Sequence, residues 1–229
     1  MLRFGLIGDP IAHSVSPEIF ARAYDGRWPY DLIEGADFQA SWKRFLDDYQ
    51  AINITAPFKE PAFREVLSDG VMDDDVQAIG AINIAVKEAD GKIHGYNSDY
   101  LGVIKVLRDH GFGEGSTVVV AGFGGAGKAA AAAGRTLGCD VIVCNRTRHT
   151  PDIRPLEELS VLAGVADILI YTLAFPIPEL DGLEVPAILE ANYRTPCLAG
   201  HPGYIPGTEW HRAQAVTGYP LMTGEPVKF

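Results

Sequence analysis

In the second half of the chain, Gly122-Phe123-Gly124-Gly125-Ala126-Gly127 satisfies the spacing G-x-G-x-x-G. Glycines at this spacing permit a tight turn and let the backbone approach a pyrophosphate, whose charge is met by N–H groups at the start of the following helix. About 20 residues beyond such a turn, at the end of the next strand, dinucleotide-binding chains that use NAD place an acid against the ribose 2'-hydroxyl. Here that position reads Asn145-Arg146-Thr147-Arg148. A guanidinium pairs bidentately with a 2'-phosphate and stacks on adenine, whereas a carboxylate repels the phosphate. The residues therefore favour NADP, with Gly122, Gly124, Gly125, Ala126, Gly127, Asn145, Arg146, Thr147 and Arg148 as its expected contacts.

Hydride removal from a secondary alcohol leaves a proton, so the site needs a base that can also return it. Lys59 is the best candidate: it falls in the predicted first turn of a helix, where the macrodipole disfavours a cation and is expected to lower its pKa. Pure stability would not choose lysine there. Asp99, if beside Lys59, would orient the amine and accept a substrate hydroxyl, partly opposing that shift. Ser14 and Ser16 can donate to a carboxylate, and Ser16 can equally cap the helix that follows it. Thr55, Asn83 and Gln214 offer neutral donors and acceptors suited to a polyhydroxylated ring, though each alone also reads as a loop or cap residue.

These residues need elements to hold them. Residues 2–8 read as a buried strand, and Ser16-Pro17-Glu18 opens a helix with serine at the cap and proline at its first position. Strands are predicted over 30–34 and 51–54, a helix over 38–49, another helix beginning near Pro57, and a hairpin over 81–87 and 92–96 turning at Ala89-Asp90-Gly91-Lys92. An amphipathic helix over 101–110 links two halves. From Ser116 the pattern becomes strand 117–121, small-residue helix 126–137 and strand 140–144, which implies parallel strands with crossover helices. Apolar segments at 167–171 and 187–192 extend that sheet, and 208–219 reads as a closing helix.

With 229 residues, of which 47% are hydrophobic, the chain can bury two cores. The net charge of -11 and the scatter of its 19 Lys and Arg residues argue against nucleic-acid binding. No apolar run approaches the roughly 18 residues of a membrane helix, and Gly8-Asp9-Pro10 interrupts the first strand before a signal-peptide core could form. A soluble, cytoplasmic protein is expected. Cys139, Cys144 and Cys197 lack C-x-x-C spacing, and the six histidines show no ligand spacing, so no metal is assigned.

Several motifs resemble those of the shikimate dehydrogenase family. Gly8-Asp9-Pro10-Ile11-Ala12-His13-Ser14-Val15-Ser16-Pro17 is similar to its substrate-carboxylate loop, and Asn53-Ile54-Thr55-Ala56-Pro57-Phe58-Lys59 to its N-V-T-x-P-[FY]-K motif. Gly80-Ala81-Ile82-Asn83 and Gly95-Tyr96-Asn97-Ser98-Asp99 resemble G-A-x-N and G-x-N-T-D, with Ser98 in place of threonine. Gly207, Gln214-Ala215 and Thr223-Gly224 resemble the closing helix, and Gly207 joins the expected cofactor contacts on this ground. The chain is short for the family. It departs again at Tyr171-Thr172-Leu173-Ala174, where N-[AS]-T-S is usual near the nicotinamide, and at Glu190-Ala191-Asn192-Tyr193, where D-x-x-Y is common.

The resemblance implies an α/β chain with a substrate-binding domain over 1–102, a Rossmann domain over 103–206 and a C-terminal helix over 207–229 that packs back on the first domain. It implies NADP-dependent, reversible reduction of 3-dehydroshikimate to shikimate by a monomer or homodimer, with Lys59 and Asp99 catalytic. Substrate and cofactor motifs must meet for hydride transfer, so the site is expected between the domains. Two other readings stay open: a quinate or quinate/shikimate dehydrogenase using NAD, against which Arg146 speaks, and a non-catalytic dinucleotide sensor, against which Lys59 and Asp99 speak.

Overall fold

A computed structural model describes residues 1–147 and 150–229, which divide into two units: Met1–Ser98 with Gln214–Phe229, and Asp99–Ala213. Arg148, an expected phosphate contact, lies outside the described residues.

The first unit is built on a five-stranded sheet of β1 (Phe4–Gly8), β2 (Tyr30–Glu34), β3 (Ala51–Ile54), β4 (Ile84–Lys87) and β5 (Ile93–Tyr96), in the order β2-β1-β3-β4-β5. β1 runs parallel to both neighbours, pairing Leu6 with Leu32 and with Asn53, and all five of its residues are buried. Its unbroken apolar run, FGLIG, is what a strand covered on both faces requires. β3, β4 and β5 are antiparallel, Ala51 opposite Val86 and Ile84 opposite Tyr96. Alternation along the strands sends Ile7, Ile52 and Ile54 to one face, among Trp42 and Phe45 of α2 (Phe38–Asp48) and Ala62 and Val66 of α3 (Lys59–Asp69). Phe4, Ala51, Ile84 and Val86 face the other side, where Phe20 and Ala23 of α1 (Ser16–Ala23) meet Ala215, Tyr219 and Met222 from the closing helix.

Local signals define most helix ends. Asp37 caps α2 by accepting the N–H groups of Gln39 and Ala40, at 2.9 and 3.4 Å. A short helix absent from the sequence reading, α4 (Asp74–Ile79), begins with two acids where the helix dipole favours them and stops at Gly80, whose φ of 72° is left-handed.

In the second unit, β6 (Thr117–Ala121), β7 (Asp140–Asn145), β8 (Arg154–Pro155), β9 (Ile168–Tyr171), β10 (Ala187–Glu190) and β11 (Tyr204–Ile205) form a six-stranded sheet in the order β11-β10-β9-β6-β7-β8. Every ladder is parallel. Counted in chain order this is 3-2-1-4-5-6, the doubly wound Rossmann arrangement. Helices α5 (Ser98–Asp109), α6 (Gly125–Thr136) and α7 (Leu159–Ala163) accompany it. Small residues let α6 lie close: a Cβ on Gly134 would stand 2.8 Å from a methyl of Val141. The last helix, α8 (Gly207–Thr223), begins in this unit and ends in the first. Among the described residues no helix is long and apolar enough to cross a membrane.

Candidate active site and dinucleotide cradle

In a parallel sheet, ligands bind beyond the carboxyl ends of the strands where the winding reverses. The first unit reverses at β1, which has β2 on one side and β3 on the other, and the loops after β1 and β3 carry Ser14, Ser16, Thr55 and Lys59. Gly8 lets these loops close on one another. A Cβ there would lie 2.4 Å from the Thr55 methyl and 2.8 Å from a methyl of Ile11. Asp9 N–H donates to the Ala56 carbonyl at 3.2 Å and Thr55 N–H to Ile7 at 3.0 Å. Glu34, at the end of β2, accepts from the backbone N–H groups of Ile11 and Ala12 at 2.9 and 3.4 Å, so a charged side chain clamps the serine loop.

The serines are joined. Ser14 Oγ–H donates to Ser16 Oγ at 3.0 Å, and Ser16 N–H returns to Ser14 Oγ at 3.3 Å. The expected cap is not made: Val15 is the N-cap of α1, Ser16 is its first residue, and no side chain caps it. The Tyr30 phenol, at the start of β2, donates to Asn53 Oδ1 of β3 at 2.8 Å. Neither Tyr30 nor Asn53 stood out as a site residue from sequence, although Asn53 opens the motif containing Thr55 and Lys59.

Lys59 is the first residue of α3, two positions beyond Pro57. Its carbonyl accepts Ile82 N–H at 3.2 Å, and Ile54 N–H donates to the Asn83 carbonyl at 2.8 Å, which brings Asn83 beside the Thr55 loop. Asn83 is buried, and its Oδ1 accepts both Ser98 N–H at 2.6 Å and the Ser98 hydroxyl at 3.2 Å. Asn97 Nδ2 likewise donates to the Ala81 carbonyl at 2.9 Å. The motifs at 80–83 and 95–98 thus bind each other, and the Asn83 amide NH2 is the part of its side chain with a proton to offer a ligand. Gln214, half-buried on α8, belongs to this unit.

Asp99 opens the second unit as a buried residue of α5, its carbonyl accepting Trp210 Nε1–H at 3.0 Å. His211 follows Trp210 and stacks on Tyr193 with ring centroids 4.9 Å apart. Burial holds the His211 pKa below the usual imidazole value, opposed by the Asp99 charge and aided by Arg194.

The glycine turn lies at the reversal point of the second sheet, between β6 and β9. Gly122 has a φ of 99°, and Gly124 is the N-cap of α6 with no side chain bonded to the helix start and no acid in the first turn. A Cβ on Gly124 or Gly125 would meet nothing within 4 Å, leaving an open backbone surface at a helix N-terminus. A Cβ on Gly127 would lie 2.1 Å from the Gly122 carbonyl oxygen. Those features fit a pyrophosphate cradle. Thr172, within the departure from N-[AS]-T-S, donates from Oγ1 to the Ala121 carbonyl at 2.8 Å and would stand 2.5 Å from a Cβ on Gly122.

At the end of β7, Asn145 Nδ2 donates to the Thr147 carbonyl at 2.7 Å, bending a turn that exposes Arg146 and Thr147. Gly207 serves a close approach: a Cβ there would be 2.4 Å from the Glu190 carbonyl oxygen. Glu190 is fully buried, its carboxylate accepting Cys197 N–H at 2.8 Å, the Cys197 thiol at 3.2 Å and Leu198 N–H at 3.1 Å, which ties the following loop to the sheet. Burial and that carboxylate push the Cys197 thiol up to about 11. Among the described residues no group of three or more His, Cys, Asp or Glu is placed to hold a metal ion.

A Rossmann unit with an open glycine cradle, joined to a unit that gathers hydroxyl, amide and amine side chains at its own reversal point, defines a two-unit α/β dinucleotide-binding protein. Residues 6–85 match the family model described as shikimate dehydrogenase substrate binding domain. The NADP(+) shikimate dehydrogenase of Natronomonas pharaonis is 34% identical over 217 residues, covering 83% of this chain and 78% of that protein. The chain belongs to the shikimate dehydrogenase family. Among solved structures, the shikimate 5-dehydrogenase of Thermus thermophilus in complex with NADP(H) and shikimate matches with a TM-score of 0.82 at 26% identity, covering 100% of this chain and 95% of that one. Shikimate dehydrogenase from Thermotoga maritima matches with a TM-score of 0.78 at 26% identity, over 96% of this chain and 93% of that one.

Proposed function

We propose that this chain is an NADP-dependent shikimate dehydrogenase that reversibly reduces 3-dehydroshikimate to shikimate, a step of aromatic amino acid biosynthesis. The observation that carries the reading is the meeting of the Ser14/Ser16 loop with the Thr55, Lys59 and Asn83 segments at the reversal point of the first sheet, in a chain of this family. Ser14 and Ser16 supply two hydroxyl donors for the substrate carboxylate. Thr55, the Asn83 NH2 and Gln214 take ring hydroxyls, and Asp99 supplies a carboxylate acceptor for one of them. Lys59 takes the proton of the reacting hydroxyl on oxidation and returns it on reduction.

NADP, when bound, supplies the nicotinamide that accepts or gives the hydride. The open backbone of Gly124 and Gly125, with Ala126 and the close-packed Gly122 and Gly127 beneath it, holds the pyrophosphate, while Asn145, Arg146, Thr147 and Arg148 form the 2'-phosphate site. On this reading Arg146→Ala raises the KM for NADP by about 10- to 100-fold, the scale of a lost hydrogen bond to a charged group, and leaves the KM for NAD nearly unchanged. Equal losses with both dinucleotides would assign Arg146 a structural part instead. Cys139, Cys144 and Cys197 are free thiols, which accords with a cytoplasmic setting.

The deciding experiment follows NADPH and NADH absorbance with shikimate and quinate in all four substrate and cofactor pairings. Shikimate with NADP is expected to give the highest kcat/KM. An absence of turnover with shikimate in every pairing would overturn the reading.

A further inference from the structure

The turn that presents Ser14 is held from another strand. Parallel register sets Glu34, the last residue of β2, beside Gly8, the last residue of β1, and Gly35 N–H donates across to the Gly8 carbonyl at 3.4 Å. Beyond β1 the chain passes Asp9 and Pro10 and then turns, Ser14 N–H closing on the Ile11 carbonyl at 2.8 Å. Glu34 Oε1 accepts the N–H groups of both residues that open this turn, Ile11 at 2.9 Å and Ala12 at 3.4 Å. Ile11 is 2% exposed, so its side chain is anchored by burial while its N–H is anchored by a carboxylate. At the far end of the turn the Ser14 hydroxyl donates to Ser16 Oγ at 3.0 Å. One run of bonds therefore leads from Glu34 through the Ile11–Ser14 turn to the serine pair.

Two successive backbone N–H groups aimed at one point form a small anion site. Here the chain's own carboxylate fills it, through bonds strengthened by the charge on the acceptor. We propose that Glu34 is a positioning residue for carboxylate recognition: by occupying the Ile11 and Ala12 N–H groups it fixes the turn that presents Ser14 and directs a ligand's carboxylate to the serine hydroxyls. Without it, the same N–H groups would compete with Ser14 and Ser16 for the incoming anion, and the ring attached to that carboxylate would have two registers instead of one. Glu34 is exposed at the end of its strand, and the surrounding water weakens its repulsion of a second carboxylate nearby.

The proposal rests on Ser14 and Ser16 binding the substrate carboxylate, and its test separates the two. Shikimate affinity is measured by titration calorimetry, and KM by NADPH absorbance, for the unmodified chain, Glu34→Ala, Glu34→Gln, Ser14→Ala and each Glu34 change combined with Ser14→Ala. Glu34→Ala empties the N–H pair, whereas Glu34→Gln keeps an amide oxygen to fill it. Glu34→Ala is expected to weaken shikimate binding and raise its KM by about 5- to 20-fold with the KM for NADP unchanged, and Glu34→Gln to stay within about threefold of the unmodified chain. Ser14→Ala should cost about 10-fold in the unmodified and Gln backgrounds but only about twofold in the Ala background, where the serine is no longer held in place and the vacated N–H groups offer the carboxylate another seat. Unchanged shikimate affinity in Glu34→Ala while Ser14→Ala weakens it, losses that multiply in the Glu34→Ala/Ser14→Ala chain, or a Gln variant as impaired as the Ala variant would overturn the role of Glu34. An unchanged affinity in Ser14→Ala, or no shikimate binding by the unmodified chain, would defeat the carboxylate reading and this proposal with it.

Discussion

Lys59→Met will lower kcat with shikimate by about 100-fold or more, while the KM for shikimate changes by only a few-fold. The substitution keeps the aliphatic stem and removes the amine. It also leaves in place the residue 59 carbonyl, which accepts Ile82 N–H at the start of α3. Ground-state binding also has other anchors: the serine pair, Thr55, the Asn83 NH2 and Gln214 are all untouched. What is lost is the group that handles a proton in the transition state, and a loss confined there falls on kcat. Stopped-flow and steady-state NADPH absorbance measure it directly. A Met variant with near-normal kcat at saturating shikimate would remove Lys59 from the chemistry.

Gly127→Ala should be the most damaging single change at the cofactor end. Its Cβ would stand 2.1 Å from the Gly122 carbonyl oxygen and 2.8 Å from that residue's carbonyl carbon, both backbone atoms. Relief requires the glycine turn to move away from α6, which lifts Gly122 off Thr172 and spoils the N–H surface offered to the pyrophosphate. Loss of NADP affinity by about 100-fold is expected, with a lower melting temperature. Gly124→Ala is the control, since a Cβ there meets nothing within 4 Å. It should leave the melting temperature within about a degree and weaken NADP alone, because the new methyl occupies the surface the phosphate approaches. Calorimetric NADP titration and thermal melts of both variants decide the matter. Equal melting temperatures with undiminished NADP binding in Gly127→Ala would disprove the close-packing account.

Much of the fold was legible because its signals are local. The Rossmann unit announces itself through strand and helix alternation around Gly122, Gly124 and Gly127, and β6 and the start of β7 fall where the apolar runs placed them. β8 and β11 were not foreseen, each being two residues long and too short to show any periodicity. The closing helix passes the expected stop at Tyr219 and continues through Pro220 to Thr223, where Gly224 N–H closes on the Pro220 carbonyl at 2.8 Å. Proline removes one helical donor and its ring crowds the carbonyl of the preceding turn, a cost that the packing of Tyr219 and Met222 in the core outweighs.

The site was legible as a set of motifs and illegible as a network. Ser14, Thr55, Lys59 and Asn83 could be named from sequence, but the partners that orient them are distant along the chain. Glu34 reaches the N–H groups of Ile11 and Ala12 from the end of another strand, and Tyr30 lies 23 residues from Asn53. Strand residues of this kind carry no local mark of a functional duty. Ser16 shows the converse: Ser-Pro-Glu is a sound cap signal, yet Val15 takes the cap position and the Ser16 hydroxyl bonds Ser14.

The division of α8 between the two units bears on how the chain can be made. Asp99–Ala213 is one uninterrupted stretch, whereas the first unit needs Gln214–Phe229 as well as Met1–Ser98. During synthesis from the N-terminus, Phe4, Phe20 and Ala23 emerge early but wait for Ala215, Tyr219 and Met222 to cover them. The unit translated second is therefore the first that can finish folding, and the one begun first stays open until the final turns of the last helix leave the ribosome. A stop codon between Gln214 and Tyr219 strips the earlier unit of Tyr219 and Met222 while leaving all of Asp99–Ala213 in place, so a late truncation is felt in the unit that was begun first.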